Sequence, residues 1–278
     1  SLDSGLKVLA PVRDLQWTRD EETAFAAENG IPIPKQSTYS VDANLFGRSI
    51  ECGPLENPQT VPPWDAFEWV AAPEHAPENA ETVKIHFQNG VPIALETAHD
   101  NIHGTLSVIQ ALNALAGKHG IGVFDHVEDR LVGFKSREVY ECPAAAVLLA
   151  AHADLEKLVL AKDELDFKHH ADRTFAEATF QGKWFSPLMD SLRAFLVENQ
   201  QAVTGWVSVK LYKGACHVNA RFSPHSLHSH AMATYGANST FEQGHGAGFC
   251  ALYSLSTVTA NQVKKCWTTP DSKPLMPC

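Results

Sequence analysis

YSVDANLFGRSIECGPLENP, residues Tyr39 to Pro58, sets Ser40 and Ser49 nine positions apart around Asp42, Asn44, Gly47 and Arg48. The stretch is too polar for a core strand and too specific for a featureless linker. Hydroxyls, a carboxylate, an amide and a guanidinium within ten residues suit a small polar site, and Gly47 lets the backbone approach a ligand closely. A well-capped surface turn uses the same residue types, so both readings stand on these residues alone.

Upstream, Thr18 to Asn29 predicts a short helix: Thr18 caps it, acids fill its first turn and Gly30 stops it. Downstream, the proline-rich run from Gly53 to Pro77 reads largely as loop. Thr82 to Phe87, Asn89-Gly90 and Val91 to Leu95 predict a β-hairpin with a type I′ turn. Thr105 is expected to cap a helix through Lys118, with Leu106, Ile109, Leu112 and Leu115 near helical spacing. Phe124 to Val127 and Leu131 to Phe134 predict a second strand pair. Pro143 to Val203 is helical in tendency, and Leu188, Leu192, Phe195 and Leu196 form an apolar stripe assigned to the core. Trp206 to Tyr212, a Lys213-Gly214 turn and His217 to Phe222 predict another hairpin. Strands and helices fall in separate runs, so the fold class is α+β, with antiparallel hairpins packed with helices. Thr268 to Cys278 contains three prolines and reads as a loose tail.

A chain of 278 residues with 44% hydrophobic and 19% charged residues is long enough for a buried core and ordinary for a globular protein. No apolar run approaches the roughly 20 residues of a membrane span, and Ser1 to Lys7 lacks the pattern of a signal peptide. The net charge of −10 argues against a nucleic-acid backbone as partner, although a local basic patch can still hold a small anion. The six cysteines, Cys52, Cys142, Cys216, Cys250, Cys266 and Cys278, form no CxxC pair and read as free thiols in a reducing cytoplasm.

Tyr39 to Pro58 resembles the WSxDxNLxGxSxExGxLEDP stretch of argininosuccinate synthases, and the likeness continues in family order. Lys7 to Arg13 (KVLAPVR) is similar to that family's KVIAPWR strand, and Asn29 to Pro34 to its HGIPIP turn. Ala116 to Gly122, Asp125 to Arg130, Gly133 to Arg137 and Tyr140-Glu141 follow its AGKHGVGRIDxVENRxxGxKSRGxYETP run. The likeness covers most of Lys7 to about Val263. The family's SGGLDTS and GxTxKGND stretches, which belong to its nucleotide-binding domain, do not occur in this sequence. The resemblance therefore implies the carboxy-terminal synthetase and assembly domain alone, excised or naturally split. Residues 1–13 would be a remnant strand and junction, 14–263 the domain, and 264–278 the tail.

In that family the ureido oxygen of citrulline attacks the α-phosphate of ATP and releases pyrophosphate; the amine of aspartate then displaces AMP. Such a reaction asks the protein mainly for positioning and charge stabilisation. The family's citrulline contacts fall on Ser40, Ser49, Glu128 and Tyr140, and all four residue types are retained. Glu128 would pair with an ammonium group, the serines would serve a carboxylate or ureido group, and Tyr140 would offer a phenol on a rigid ring. Read without the family, Glu128 is a solvated strand-end acid and Tyr140 a half-buried strand residue. The resemblance further implies ATP, with Mg, bound mainly by the nucleotide-binding domain, and a homotetramer. No catalytic side chain is expected in this part, and the cysteine spacing, net charge and short apolar runs argue against a resident metal and a nucleic-acid or membrane partner. A reading from another class is a diverged, non-catalytic module that oligomerises or binds an amino acid.

Other motifs have plainer readings. Gly117 to Gly122 lacks a following Lys-Ser/Thr and is a helix-ending turn, not a Walker loop. Gly244 to Gly248 is a weak phosphate-loop lookalike, read as plain loop. His225, His228 and His230 lack a nearby acid or thiol and are assigned to the surface. Three departures from the family pattern stand out: Val123 for an Arg, Glu138 for a Gly, and Cys142 for a Thr. If Glu138 to Cys142 is a strand, Glu138, Tyr140 and Cys142 share a face and Glu138 brings a second negative charge near Glu128. The alternative has Glu138 pointing to solvent and pairing with a Lys or Arg.

Overall fold

The computed structural model of the chain describes residues 3–33 and 38–268. These fall into two compact units, Ser1–Leu227 and His228–Cys278. The division lies inside the span 14–263 that the sequence suggested as one domain. Of the expected loose tail, residues 269–278 lie outside the described residues.

The first unit begins with helices α1 (Pro11–Leu15) and α2 (Arg19–Glu28). Where the family likeness implied a strand from Lys7 to Arg13, residues 7–10 are irregular and Pro11 opens α1, its fixed φ suiting a first helical position. Helix α2 starts as read: Thr18 accepts from the Glu21 amide, and the Glu21 carboxylate accepts from the Thr18 amide at 2.6 Å. Strands β1 (Ser40–Asn44) and β2 (Gly47–Glu51) then form a hairpin. The segment judged too polar for a core strand therefore contains one. Gly47, Arg48 and Ile50 of β2 are buried, and Arg48 is tolerated there because a carboxylate meets it, as described below.

Three 3-10 turns fill the proline-rich stretch before β3 (Glu81–Gln88), β4 (Val91–Glu96) and β5 (Asn101–His103). Asn89 and Gly90, both at positive φ, close the β3–β4 hairpin as their sequence demands. Helix α3 (Thr105–Lys118) is capped by Gly104 and not by Thr105, whose hydroxyl donates instead to the Pro92 carbonyl at 2.9 Å. Strands β6 (Val123–Asp129) and β7 (Lys135–Glu141) follow. Leu131 to Phe134, expected as a strand, is the turn between them. Gly133 adopts φ +95° there and the Arg130 amide donates to the Phe134 carbonyl at 2.9 Å, leaving Leu131, Val132 and Phe134 exposed.

Helices α4 (Pro143–Val159), α5 (Lys162–Phe180) and α6 (Pro187–Gln200) precede the hairpin of β8 (Gly205–Tyr212) and β9 (Ala215–Phe222). Of the stripe assigned to the core of α6, Leu192, Phe195 and Leu196 are half-buried and Leu188 is not part of it. Met189 is fully buried and Leu188 exposed, while Phe195 packs edge-on against Phe167 of α5.

The class is α+β with two antiparallel sheets among the described residues. The larger runs β5-β4-β3-β8-β9, and its inner face (Val83, Ile85, Leu95, Val207, Val209) packs on Leu112 of α3 and on Val147, Ala151 and Leu155 of α4. Each of the Val, Ile and Leu side chains contributes about 1.5–3 kcal/mol on burial. The smaller runs β1-β2-β7-β6 and covers one face with Ile50, Leu55, Ala66 and Val139. Its other face carries the candidate site.

The second unit holds α7 (His230–Ala233), α8 (Gly244–Tyr253) and α9 (Leu255–Thr268). Gly244 to Gly248, read as loop, is the first turn and a half of α8, followed by the helix-favouring Phe249-Cys-Ala-Leu252. No helix among the described residues is long and apolar enough to cross a membrane.

Candidate functional site

Strand register brings the four predicted residues together. Directly paired residues of antiparallel strands present their side chains to the same side, and alternate residues along a strand do likewise. Ser49 pairs with Asp42 on β1 and with Tyr140 on β7. Ser40 pairs with Glu51, two residues beyond Ser49. Tyr140 pairs with Phe124, Glu138 with His126, and Ser136 with Glu128. Ser40, Ser49, Glu128 and Tyr140 therefore occupy one face, opposite the cluster of Ile50 and Val139.

Side-chain contacts tie the part of that face around Glu128 and Tyr140 into a network. The Tyr140 hydroxyl lies 2.7 Å from Glu138 Oε2 and 3.4 Å from Glu128 Oε2. Ser136 Oγ lies 3.5 Å from Glu128 Oε1. Arg130, at the start of the β6–β7 turn, donates to Ser136 Oγ at 2.8 Å and to Glu51 Oε2 at 3.0 Å, and stands 3.3 Å from Glu138 Oε1. Glu128 and Glu138 are only 14% and 12% exposed, so these contacts act at reduced dielectric. Burial, reinforced by the hydrogen bond to Glu138 and by the charges of both glutamates, pushes the Tyr140 phenol well above its ordinary range. The hydroxyl keeps its proton.

Arg130, Ser136 and Glu51 were not singled out in the sequence. The available signal was period-two alternation from Ser136 through Tyr140, hidden by placing the strand at Leu131. Glu138 does not point to solvent; it lies on the site face, paired with Arg130 and Tyr140. Cys142 lies past the end of β7, where it caps α4, so it does not extend that face. Burial and the neighbouring Glu141 charge push its thiol up.

The reverse side of β2 and β7 explains why the register holds. Arg48 pairs across the sheet with Glu141, and their side chains, 5% and 0% exposed, form an ion pair. Glu141 also accepts from the amides of Glu68, Trp69 and Val70 at 2.6–3.1 Å. A carboxylate with a guanidinium and three amides meets the condition under which a buried charge is tolerated. Arg137 fastens the next layer. It pairs with Asp125 at 2.6 Å and donates to the carbonyls of Asn57 and Thr60, and it holds the Asp125 carboxyl below the usual carboxylate range.

The site face borders a cavity of about 500 Å³ through Glu51 and Ser136. Another, of about 510 Å³, opens between the β1–β2 turn and α3 and is lined by Asn44, Glu68, Trp69, Gln110 and Asn113. The glycines of the Gly117 to Gly122 run serve packing. A Cβ on Gly117 would lie 2.0 Å from the Trp69 carbonyl oxygen, and one on Gly122 would lie 2.5 Å from Pro143 Cα. These glycines are required for the close approach of neighbouring backbone.

Cys52, Cys142, Cys216 and Cys250 are free thiols. Burial pushes the Cys216 thiol up to about 11, which makes it an inert packing group.

A family model for the arginosuccinate synthase C-terminal domain matches residues 39–260. Argininosuccinate synthase of Streptococcus suis (strain 05ZYH33) is 46% identical over 267 residues, 95% of this chain and 66% of the relative. That of Rubrobacter xylanophilus (strain DSM 9941) is 49% identical over 257 residues, 92% of this chain and 62% of the relative. That of Bacillus cereus (strain AH820) is 48% identical over 267 residues, again 66% of the relative. The chain thus spans just under two thirds of the curated relatives it matches.

Proposed function

The chain belongs to the argininosuccinate synthase family, and we propose that it supplies the citrulline-binding face of such a ligase, in the synthesis of arginine. The observation that carries this reading is the register of the four-stranded sheet. Residues far apart in sequence, Ser40, Ser49, Glu128 and Tyr140, share one face above a buried Arg48–Glu141 pair.

The roles follow from chemistry. Glu128 takes the α-ammonium of citrulline in a charge-assisted contact. Ser40 and Ser49 offer hydroxyls to the carboxylate or ureido group, and Tyr140 flanks them on a ring fixed by β7. These residues bind and orient; none transfers a proton in the chemical step. Holding the ureido oxygen in line with a phosphate removes much of the entropic part of the barrier. ATP, with Mg, and aspartate are co-substrates in this proposal. The glycines of the Gly117 to Gly122 turn serve packing, so the nucleotide's phosphates are assigned to a nucleotide-binding domain outside these 278 residues. A cytoplasmic location and a homotetramer complete the proposal.

Calorimetric titration of the chain with L-citrulline tests it. Saturable binding is expected, weakened in Glu128→Gln by about 1.5–3 kcal/mol with the fold retained. Equal affinity in that variant would remove Glu128 from the site.

A further inference from the structure

Glu138 is the residue by which this chain departs from the family pattern within the site face itself. Its Oε2 is 2.7 Å from the Tyr140 hydroxyl and its Oε1 is 3.3 Å from Arg130. Tyr140 stands 3.4 Å from Glu128 on its other side. A phenol has one hydrogen to donate and lone pairs that accept. The shorter contact commits that hydrogen to Glu138, and Tyr140 then meets any ligand as an acceptor. Glu128 Oε2, Glu138 Oε2 and Tyr140 Oη together present three acceptors, matching the three donors of a primary ammonium group. Arg130 offsets part of the negative charge, standing 3.5 Å from Glu128 Oε1 and 3.3 Å from Glu138 Oε1, while the Oε2 atoms of both glutamates face the Tyr140 hydroxyl.

We propose that Glu138 is a specificity-determining residue: by taking the Tyr140 hydroxyl hydrogen it makes this part of the face a receptor for the α-ammonium of an amino acid. Glycine there would leave the hydroxyl free to donate to Glu128 or to an anionic ligand group. The inference rests on the citrulline reading above and adds to it which end of the ligand meets Tyr140.

The test is calorimetry on the 278-residue chain with L-citrulline and with Nα-acetyl-L-citrulline, which lacks the ammonium. The wild-type chain is expected to prefer citrulline. Glu138→Gln and Glu138→Ala are expected to shrink that preference about tenfold or more, the effect of losing one charge-assisted contact to the ammonium. Near-UV circular dichroism reports whether each variant keeps its fold, and two variants guard against one failing. A preference unchanged in both overturns the role of Glu138 and leaves the citrulline reading intact. Equal wild-type affinity for both ligands overturns the ammonium assignment. Failure of the wild-type chain to bind either overturns the citrulline reading and this inference with it.

Discussion

The Arg48 guanidinium and the Glu141 carboxylate meet beneath the β2–β7 pair, one residue away from Ser49 and Tyr140 on the opposite face. Alternation along each strand makes one buried ion pair the underside of the proposed binding surface. Glu141 has no solvent and takes three backbone amides besides Arg48. Removing it leaves three amides unpaired and the buried Arg48 with only the exposed Glu68 carboxylate, 3.1 Å away, as counter-charge. Glu141→Ala is expected to cost about 3–5 kcal/mol in urea unfolding, and Arg48→Met combined with Glu141→Leu to cost less than Glu141→Ala alone. A loss below about 1 kcal/mol for Glu141→Ala would show that the pair does not hold the sheet.

A second buried charge network ties three helices together. Lys168 of α5, 6% exposed, pairs with Glu156 of α4 at 3.0 Å and with Asp172 at 2.6 Å, while Gln200 of α6 donates to Glu156 at 2.7 Å. Burial works against the Lys168 charge, but the hydrogen bonds to Asp172 and Glu156 outweigh it and raise its pKa. A raised folded-state value stabilises the fold fully below the unfolded value of about 10.4, and that stability is lost as pH rises through the folded value. Lys168→Met is therefore expected to be less stable at pH 7 and to lose less stability between about pH 10 and 12. Parallel alkaline profiles in denaturant melts would contradict this.

The family's pyrophosphate loop does not occur in this sequence, and the glycines of residues 117–122 are packed against backbone. The 278-residue chain alone is accordingly expected to release no pyrophosphate from ATP in the presence of citrulline and aspartate. A coupled pyrophosphate assay checks this, and turnover above background would refute it.

Much of this was legible in the sequence, for identifiable reasons. Asn89-Gly90 and Lys213-Gly214 encode their turns locally, and Thr18 with Glu21 encodes a cap, so those elements read correctly. Leu131 to Phe134 misled because apolar content suggests a strand, whereas the left-handed Gly133 decides the turn. Arg48 in a buried strand could not be foreseen, since its partner Glu141 lies 93 residues away. The four proposed site residues came from family likeness; that they share a face follows only from register. Arg130 and Glu51 are neighbours through the sheet, and their 79-residue separation gave no hint of it.

The central claim is that citrulline binds the face formed by β1, β2, β7 and β6. Amide chemical-shift mapping of the isotope-labelled chain during titration with L-citrulline tests it most directly. Shifts are expected to concentrate on Ser49, Glu128, Glu138 and Tyr140 and their strand neighbours, and to fall away in Glu128→Gln at the same ligand concentration. Shifts centred instead on Trp69, Gln110 and Asn113, around the other cavity, or no saturable shifts at all, would contradict it.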